Sequence, residues 1–249
     1  MLTMSKNEVF ENVISCCKDL LFNFPEAESY KEYVLSRISK QTVEKFNIGY
    51  FPQSSFLNLL LRKVNSKDLE KYNLLLKRSN FTFSYFEDNN LIIPYYDIAG
   101  KPIALIGRSL LSDKERKQKN IIKYKNTIFK KGNYLFNLHN AKDEILKQGF
   151  VYIVEGQFDV IKCYEKGIYN VVATSTSSLS TYQLSSLLRY TDNIFVLFDN
   201  DEAGEKGRHR IDSKYKDVAT FSHVRIPRGY KDADEYLNKN NDLCLEMPY

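Results

Sequence analysis

The sequence holds no C-x-x-C pair, no Gly-x-Ser-x-Gly segment, no basic-then-apolar leader, and no apolar run near the ~20 residues that cross a bilayer. Each absence removes a class. Neither the four cysteines (Cys16, Cys17, Cys163, Cys244) nor His139, His209 and His223 show zinc-ligand spacing, so no zinc is expected and the thiols read as free in a reducing compartment. The missing serine elbow leaves no basis for a serine nucleophile. The N-terminal Met-Leu-Thr-Met-Ser-Lys-Asn-Glu lacks the basic-then-apolar order of a signal peptide. A cytoplasmic protein with no membrane partner is the expectation.

At 249 residues, 43% hydrophobic and 27% charged, the chain reads as soluble and globular, with length for one large domain or two small ones. The net charge of +5 is unevenly spread. Residues 101–131 carry ten Lys or Arg against Asp113 and Glu115, a local +8, which leaves −3 for the remainder. A solvated charge run is the ordinary source of such clustering. Placed upstream of acidic motifs, it points instead to a polyanionic substrate.

Those acidic motifs follow two apolar runs. Val151-Tyr152-Ile153-Val154 leads into Glu155-Gly156-Gln157-Phe158-Asp159, and Ile194-Phe195-Val196-Leu197-Phe198 leads into Asp199-Asn200-Asp201. Short β-branched or aromatic runs of this kind are the pattern of buried parallel strands. In open α/β sheets, ligands collect outside the carboxyl ends of the strands, where the chain order switches. Glu155, Asp199 and Asp201 would then share one small volume and repel one another unless a cation joined them. Hard oxygen ligands at a loop-lined edge suit Mg²⁺. Either motif alone is commonly a solvated turn; the two together, separated by helix-length sequence, are harder to read that way.

In chain order, the periodicity predicts helices over 5–23, 28–39, 40–46, 54–64 and 66–78, the last with Leu69, Tyr72, Leu75 and Leu76 on one face. A β-hairpin is expected over 91–108 around the turn at 98–101, followed by a charged loop over 114–119. Further helices are expected over 141–147 and 158–166 and from Ala203 through Arg210, with strands over 151–154, 171–173, 194–198 and 223–227. Ser180-x-x-Gln183 fits a capping box. Asp159 reads equally as a helix cap or a metal ligand, and Asp232 and Asp234 as ligands or caps of a final helix.

The order strand–Glu–helix–strand–helix–strand–Asp-x-Asp resembles the Toprim domain. The flanks narrow this. The hairpin over 92–108, the Lys123-Tyr124-Lys125-Asn126-Thr127 segment, Phe129-Lys130-Lys131-Gly132, Tyr134-Leu135-Phe136-Asn137-Leu138, the run over 33–43 and Phe46-Asn47-Ile48-Gly49-Tyr50 all resemble the catalytic core of bacterial DnaG-type primases, in family order. The resemblance runs from about Cys16 to about Asn240. It implies an α/β chain: a Toprim parallel sheet flanked by helices over 149–240, preceded by a helical and β basic N-terminal subdomain over 1–148, with a tail at 241–249.

By that resemblance Glu155, Asp199 and Asp201 are catalytic. They would hold Mg²⁺ or Mn²⁺ with Asp232 and Asp234, Asp159 being a further possibility, and Glu155 being either the general acid/base or a ligand. Arg108, Lys123 and Lys131 match basic positions that contact nucleotide or DNA. The implied partners are a single-stranded DNA template and ribonucleoside triphosphates, with a replicative helicase or a separate zinc-domain chain as further ones. Asn200 and Thr176 depart from the family, standing where it usually has glycine. Residues usually found between Thr127 and Ile128 are missing, and no zinc-binding or helicase-binding domain is expected. Such trimming resembles a phage or mobile-element version. The rival readings are a Toprim nuclease and a non-catalytic DNA-binding or helicase-associated accessory; a topoisomerase would need a nucleophilic tyrosine on a further large domain.

Overall fold

Ser5 and Glu8 close a capping box, and the first helix begins immediately after Ser5. The computed structural model describes residues 4–240. Among these the chain forms two compact units: one reaching to Tyr96 and resuming over Lys101–Phe129, the other taking Asp97–Gly100 and the chain from Lys130 onward.

The first unit contains α1 (Lys6–Asn23), α2 (Glu28–Leu35), α3 (Lys40–Lys45), β1 (Gly49–Tyr50), α4 (Asn58–Leu61), α5 (Ser66–Lys71), β2 (Leu75–Arg78), β3 (Phe81–Ser84), β4 (Leu91–Tyr96), β5 (Pro102–Arg108), α6 (Asp113–Lys119) and β6 (Tyr124–Asn126). Antiparallel pairing gives one sheet in the order β1-β4-β5-β6, and β2 and β3 pair separately. The expected hairpin is present, with Ile93 opposite Ile106 and a register shift between Tyr95 and Tyr96. The core joins Val9, Phe10 and Val13 of α1 to Phe51, Phe86, Ile92 and Leu105.

Three expectations fail here. The helix over 66–78 stops at Lys71; Asn73 is left-handed (φ 56), and Leu75 to Arg78 pair as a strand with Phe81 to Ser84. Leu69, Tyr72, Leu75 and Leu76 fit helical spacing, but cross-strand pairing with the β-forming Phe81-Thr82-Phe83 outweighs it. The charged loop at 114–119 is helix α6, capped by Ser112 and Glu115 and ended by left-handed Asn120. The helix over 28–39 ends early, at Leu35, and Ser39 is extended as the cap of α3, the separate helix expected over 40–46.

The second unit contains α7 (Leu138–Gln148), β7 (Val151–Val154), α8 (Gln157–Glu165), β8 (Val171–Ala173), α9 (Thr181–Leu187), β9 (Asn193–Val196), α10 (Glu202–Tyr215), β10 (Thr220–His223) and α11 (Ala233–Lys239). Its sheet is parallel in the order β10-β9-β7-β8. The core joins Val151, Ile153, Val172, Ile194, Val196 and Phe198 to Ile145, Leu184, Leu187 and Ile211 of the helices. The expected boundary at 148/149 falls inside this unit, because α7 packs on β8 and Phe136 forms a bridge with Ala173. The last strand pairs over 220–223 rather than 223–227, since Pro227 has no N–H to give a ladder. The expected tail at 241–249, with Cys244, lies outside the described residues. No described helix is long and apolar enough to cross a membrane.

Candidate active site

From β7 the chain runs to β8 on one side, then returns to form β9 on the other. The switch point therefore lies between β7 and β9, the place where open α/β sheets bind ligands. Register decides what meets there. Ile153 pairs with Val196, and Leu197 N–H donates to the Ile153 carbonyl at 2.9 Å. Glu155 and Asp199 follow directly, and Asp199 N–H donates to Glu155 Oε1 at 3.2 Å. Gly204 makes this approach possible: a Cβ there would collide with the Asp199 carbonyl and lie 3.1 Å from Glu155 Oε1.

Burial and like charge act together on the pair. Burial first, then Asp199 and Asp201, push Glu155 up to about 7, against the pull of the Asp199 N–H and Arg208. Burial, then Asp232, push Asp199 up to about 6, while Lys231 pulls it down. The Lys231 ammonium lies 3.7 Å from Asp199 Oδ2. Burial works against its charge, but Asp199, Asp232, Asp201 and Asp159 together raise its pKa.

Asp201, Asp232 and Asp159 have backbone partners. Asp201 caps α10 by accepting from Gly204 N–H at 3.0 Å, and Asp232 caps α11 by accepting from Glu235 N–H at 2.8 Å. Asp159 is buried and uses both oxygens: Oδ2 accepts from Gly156 N–H and Oδ1 from Asp234 N–H, each at 3.0 Å. It joins the start of α8 to the start of α11. Burial, then Asp232 and Asp199, hold its carboxyl well above the usual range. Asp234 is buried, and its Oδ1 accepts from the Asn238 amide at 3.3 Å.

The donor chemistry fits a hard divalent ion, because crowded carboxylates with raised pKa values are what such an ion relieves. Among the described residues, however, no three His, Cys, Asp or Glu side chains stand as a ready-made metal cage. The expected basic residues divide between the units. In the first, Arg108 donates to the Tyr124 hydroxyl at 2.7 Å, its guanidinium 5.3 Å from the Tyr33 ring and 5.4 Å from the Tyr124 ring. Lys123 lies 5.8 Å from that same Tyr124 ring. In the second, Lys131 opens a 3-10 turn, and burial lowers its pKa.

Two residues that sequence reasoning passed over support the acidic loop. Arg208 is buried and donates to the Phe198 carbonyl at 2.6 Å and to Glu205 at 2.8 Å. Its signal was available: a cation on the buried stripe of α10 that also holds Gly204, Gly207, Ile211 and Tyr215. Asn200, noted only as a departure, bonds to the 226–231 loop. The Ser180–Gln183 capping box is present, and the Gln183 amide also donates to the Tyr134 and Thr174 carbonyls at 2.8 and 3.0 Å.

Residues 18–142 match the family model described as DNA primase catalytic core, N-terminal domain, and residues 152–237 match the Toprim-like model. The DNA primase of Aquifex aeolicus is 34% identical over 212 residues, which cover 84% of this chain and 42% of that protein. The chain spans less than half the length of the curated relatives it matches. Among solved structures, the zinc-binding and RNA polymerase domains of the Aquifex aeolicus primase superpose with a TM-score of 0.81 at 29% identity, covering 96% of this chain and 59% of that one. A DnaG primase catalytic domain bound to ssDNA superposes with a TM-score of 0.77 at 23% identity, covering 94% and 74%.

Proposed function

Because this chain belongs to the DnaG-type DNA primase family, we propose that it is a cytoplasmic primase core that makes short RNA primers on a single-stranded DNA template. The reaction is nucleotidyl transfer. A 3′-hydroxyl attacks the α-phosphorus of an incoming ribonucleoside triphosphate, one phosphoester bond forms, and pyrophosphate leaves.

The observation that carries this reading is the bond from Asp199 N–H to Glu155 Oε1, which brings two acids from distant segments to the β7/β9 switch point. Metal dependence is general to Toprim primases. Glu155, Asp199, Asp201, Asp232 and Asp234 are the residues that would hold Mg²⁺ or Mn²⁺, which when bound supplies neutralising charge to phosphate oxygens. Glu155, with its carboxyl near neutrality, is also suited to accept the proton of the attacking hydroxyl at physiological pH. Asp159, held by two backbone N–H groups, orders the loops around these acids. Arg108, Lys123 and Lys131 supply cations for template or triphosphate, and the tyrosine faces beside Arg108 hold its guanidinium plane for phosphate. The single-stranded DNA in the structural neighbour supports a template of that kind. A separate zinc-domain chain and a replicative helicase are the further partners proposed.

The test is a primed-product assay with single-stranded template, labelled ribonucleotides and Mg²⁺ or Mn²⁺. Short RNA whose sequence follows the template is expected. Template cleavage without synthesis would replace this reading with a nuclease, and binding with neither product would replace it with an accessory protein.

A further inference from the structure

Asn200 stands between the two aspartates of the acidic loop and makes contacts that neither of them makes. Its amide donates to the carbonyl oxygens of Ile226 at 2.9 Å and Tyr230 at 3.0 Å. Its backbone N–H donates to the Lys231 carbonyl at 2.7 Å. One residue thus engages three carbonyls of the single loop over 226–231.

That loop carries two of the charges around Asp199. It leaves β10, turns through Pro227 and Gly229 (φ 97), and delivers Lys231 and Asp232 at its end. Lys231 stands 3.7 Å from Asp199 Oδ2. Asp232 follows it directly and caps α11, accepting from Glu235 N–H at 2.8 Å. The loop is also one wall of a cavity of about 740 Å³ lined by Asn200, Asp201, Arg225, Arg228 and Lys231. Arg225 pairs with Glu205 at one end, and Lys231 N–H donates to Glu235 at the other.

We infer that Asn200 is a positioning residue, whose amide ties the 226–231 loop to the acidic loop and thereby fixes Lys231 and Asp232 beside Asp199. The inference deepens the primase reading and rests on it. The chemistry is specific to a neutral two-donor side chain. Aspartate is isosteric but would turn a carboxylate toward two carbonyls. Glycine keeps only the backbone bond to Lys231. Glutamine keeps both donors on a stem one methylene longer.

The experiment compares the whole chain with Asn200→Asp, Asn200→Gly and Asn200→Gln. It uses priming kinetics with varied ribonucleotide and amide hydrogen exchange read by mass spectrometry. The Asp and Gly variants are expected to lose about tenfold or more in kcat with nucleotide KM changed by less than about twofold, because the reacting groups are misplaced while nucleotide binding elsewhere is kept. Their exchange rises across 226–232, while β7 and α9 exchange as in the parent, which separates local release from unfolding. The Gln variant recovers part of the kcat. Parent-like kcat in Asn200→Asp and Asn200→Gly, or unchanged exchange across 226–232, overturns the inference while leaving primer synthesis by the parent intact. If the parent itself makes no primer, the functional reading has failed instead, and the exchange comparison alone decides whether Asn200 holds the loop.

Discussion

Replacing Asp159 separates a structural acid from a catalytic one. Its two oxygens accept from Gly156 N–H and Asp234 N–H at 3.0 Å each, in a position only 7% exposed. Alanine removes both acceptors and leaves two backbone donors to be satisfied in a buried place. A buried donor left without its acceptor costs about 1–3 kcal/mol. With two such donors the expected loss is about 2–6 kcal/mol for Asp159→Ala, out of a total that for ordinary domains is about 5–15. Asp159→Asn keeps one acceptor and turns an amide toward the other N–H, for a loss of about 1–3 kcal/mol. Urea unfolding followed by far-UV circular dichroism measures both, at unchanged m-value. A loss below about 1 kcal/mol for the alanine variant would refute the bridging role.

Stability without divalent cation should fall as pH rises from about 5 to 8. Glu155 and Asp199 have folded pKa values raised to about 7 and about 6, so the folded state keeps protons that the unfolded chain has released, and that stabilisation is lost as pH passes through those values. Both groups are partly solvated, which leaves about 1–2 kcal/mol after screening. Adding Mg²⁺ should recover stability at pH 8 and do little at pH 5, with about 1.4 kcal/mol expected at ten times Kd; thermal melts at the two pH values read the difference. Arg208→Met should cost about 2–4 kcal/mol, because the Phe198 carbonyl loses a charged donor in a buried place. It should also move the pH optimum of priming upward, since Arg208 pulls the Glu155 pKa down; an unmoved optimum would count against the coupling.

Much of this was legible in the sequence where local pattern and tertiary role agree. The runs before Glu155 and Asp199 are too apolar for anything but buried strands, and the parallel sheet follows from the helix-length sequence between them. The hairpin over 91–108 announces itself through alternation around a glycine turn. Where two patterns compete, the sequence misleads. Leu69, Tyr72, Leu75 and Leu76 satisfy a helical face, and only the pairing of Leu75 to Arg78 with a strand further along shows otherwise. At 114–119 the density of charge suggested a loop, yet Ser112-x-x-Glu115 is a helix start that composition alone obscures. In the site, residue types pointed to the acids, but the division of labour among them is a matter of geometry. That Asp159 would spend both oxygens on backbone N–H groups, and that Asn200 would hold a loop some 30 residues later, depends on contacts that no spacing rule encodes.

The central claim is that Glu155 and Asp199 form the reactive centre of a template-directed polymerase. It is tested most directly by timing primer formation with Glu155→Gln and Asp199→Asn, alongside their affinity for the same single-stranded template. The account predicts that both variants bind template as the parent does and that primer formation falls by about a thousandfold, the scale of a lost charge-stabilising group. Parent-like primer yield from either variant would contradict it.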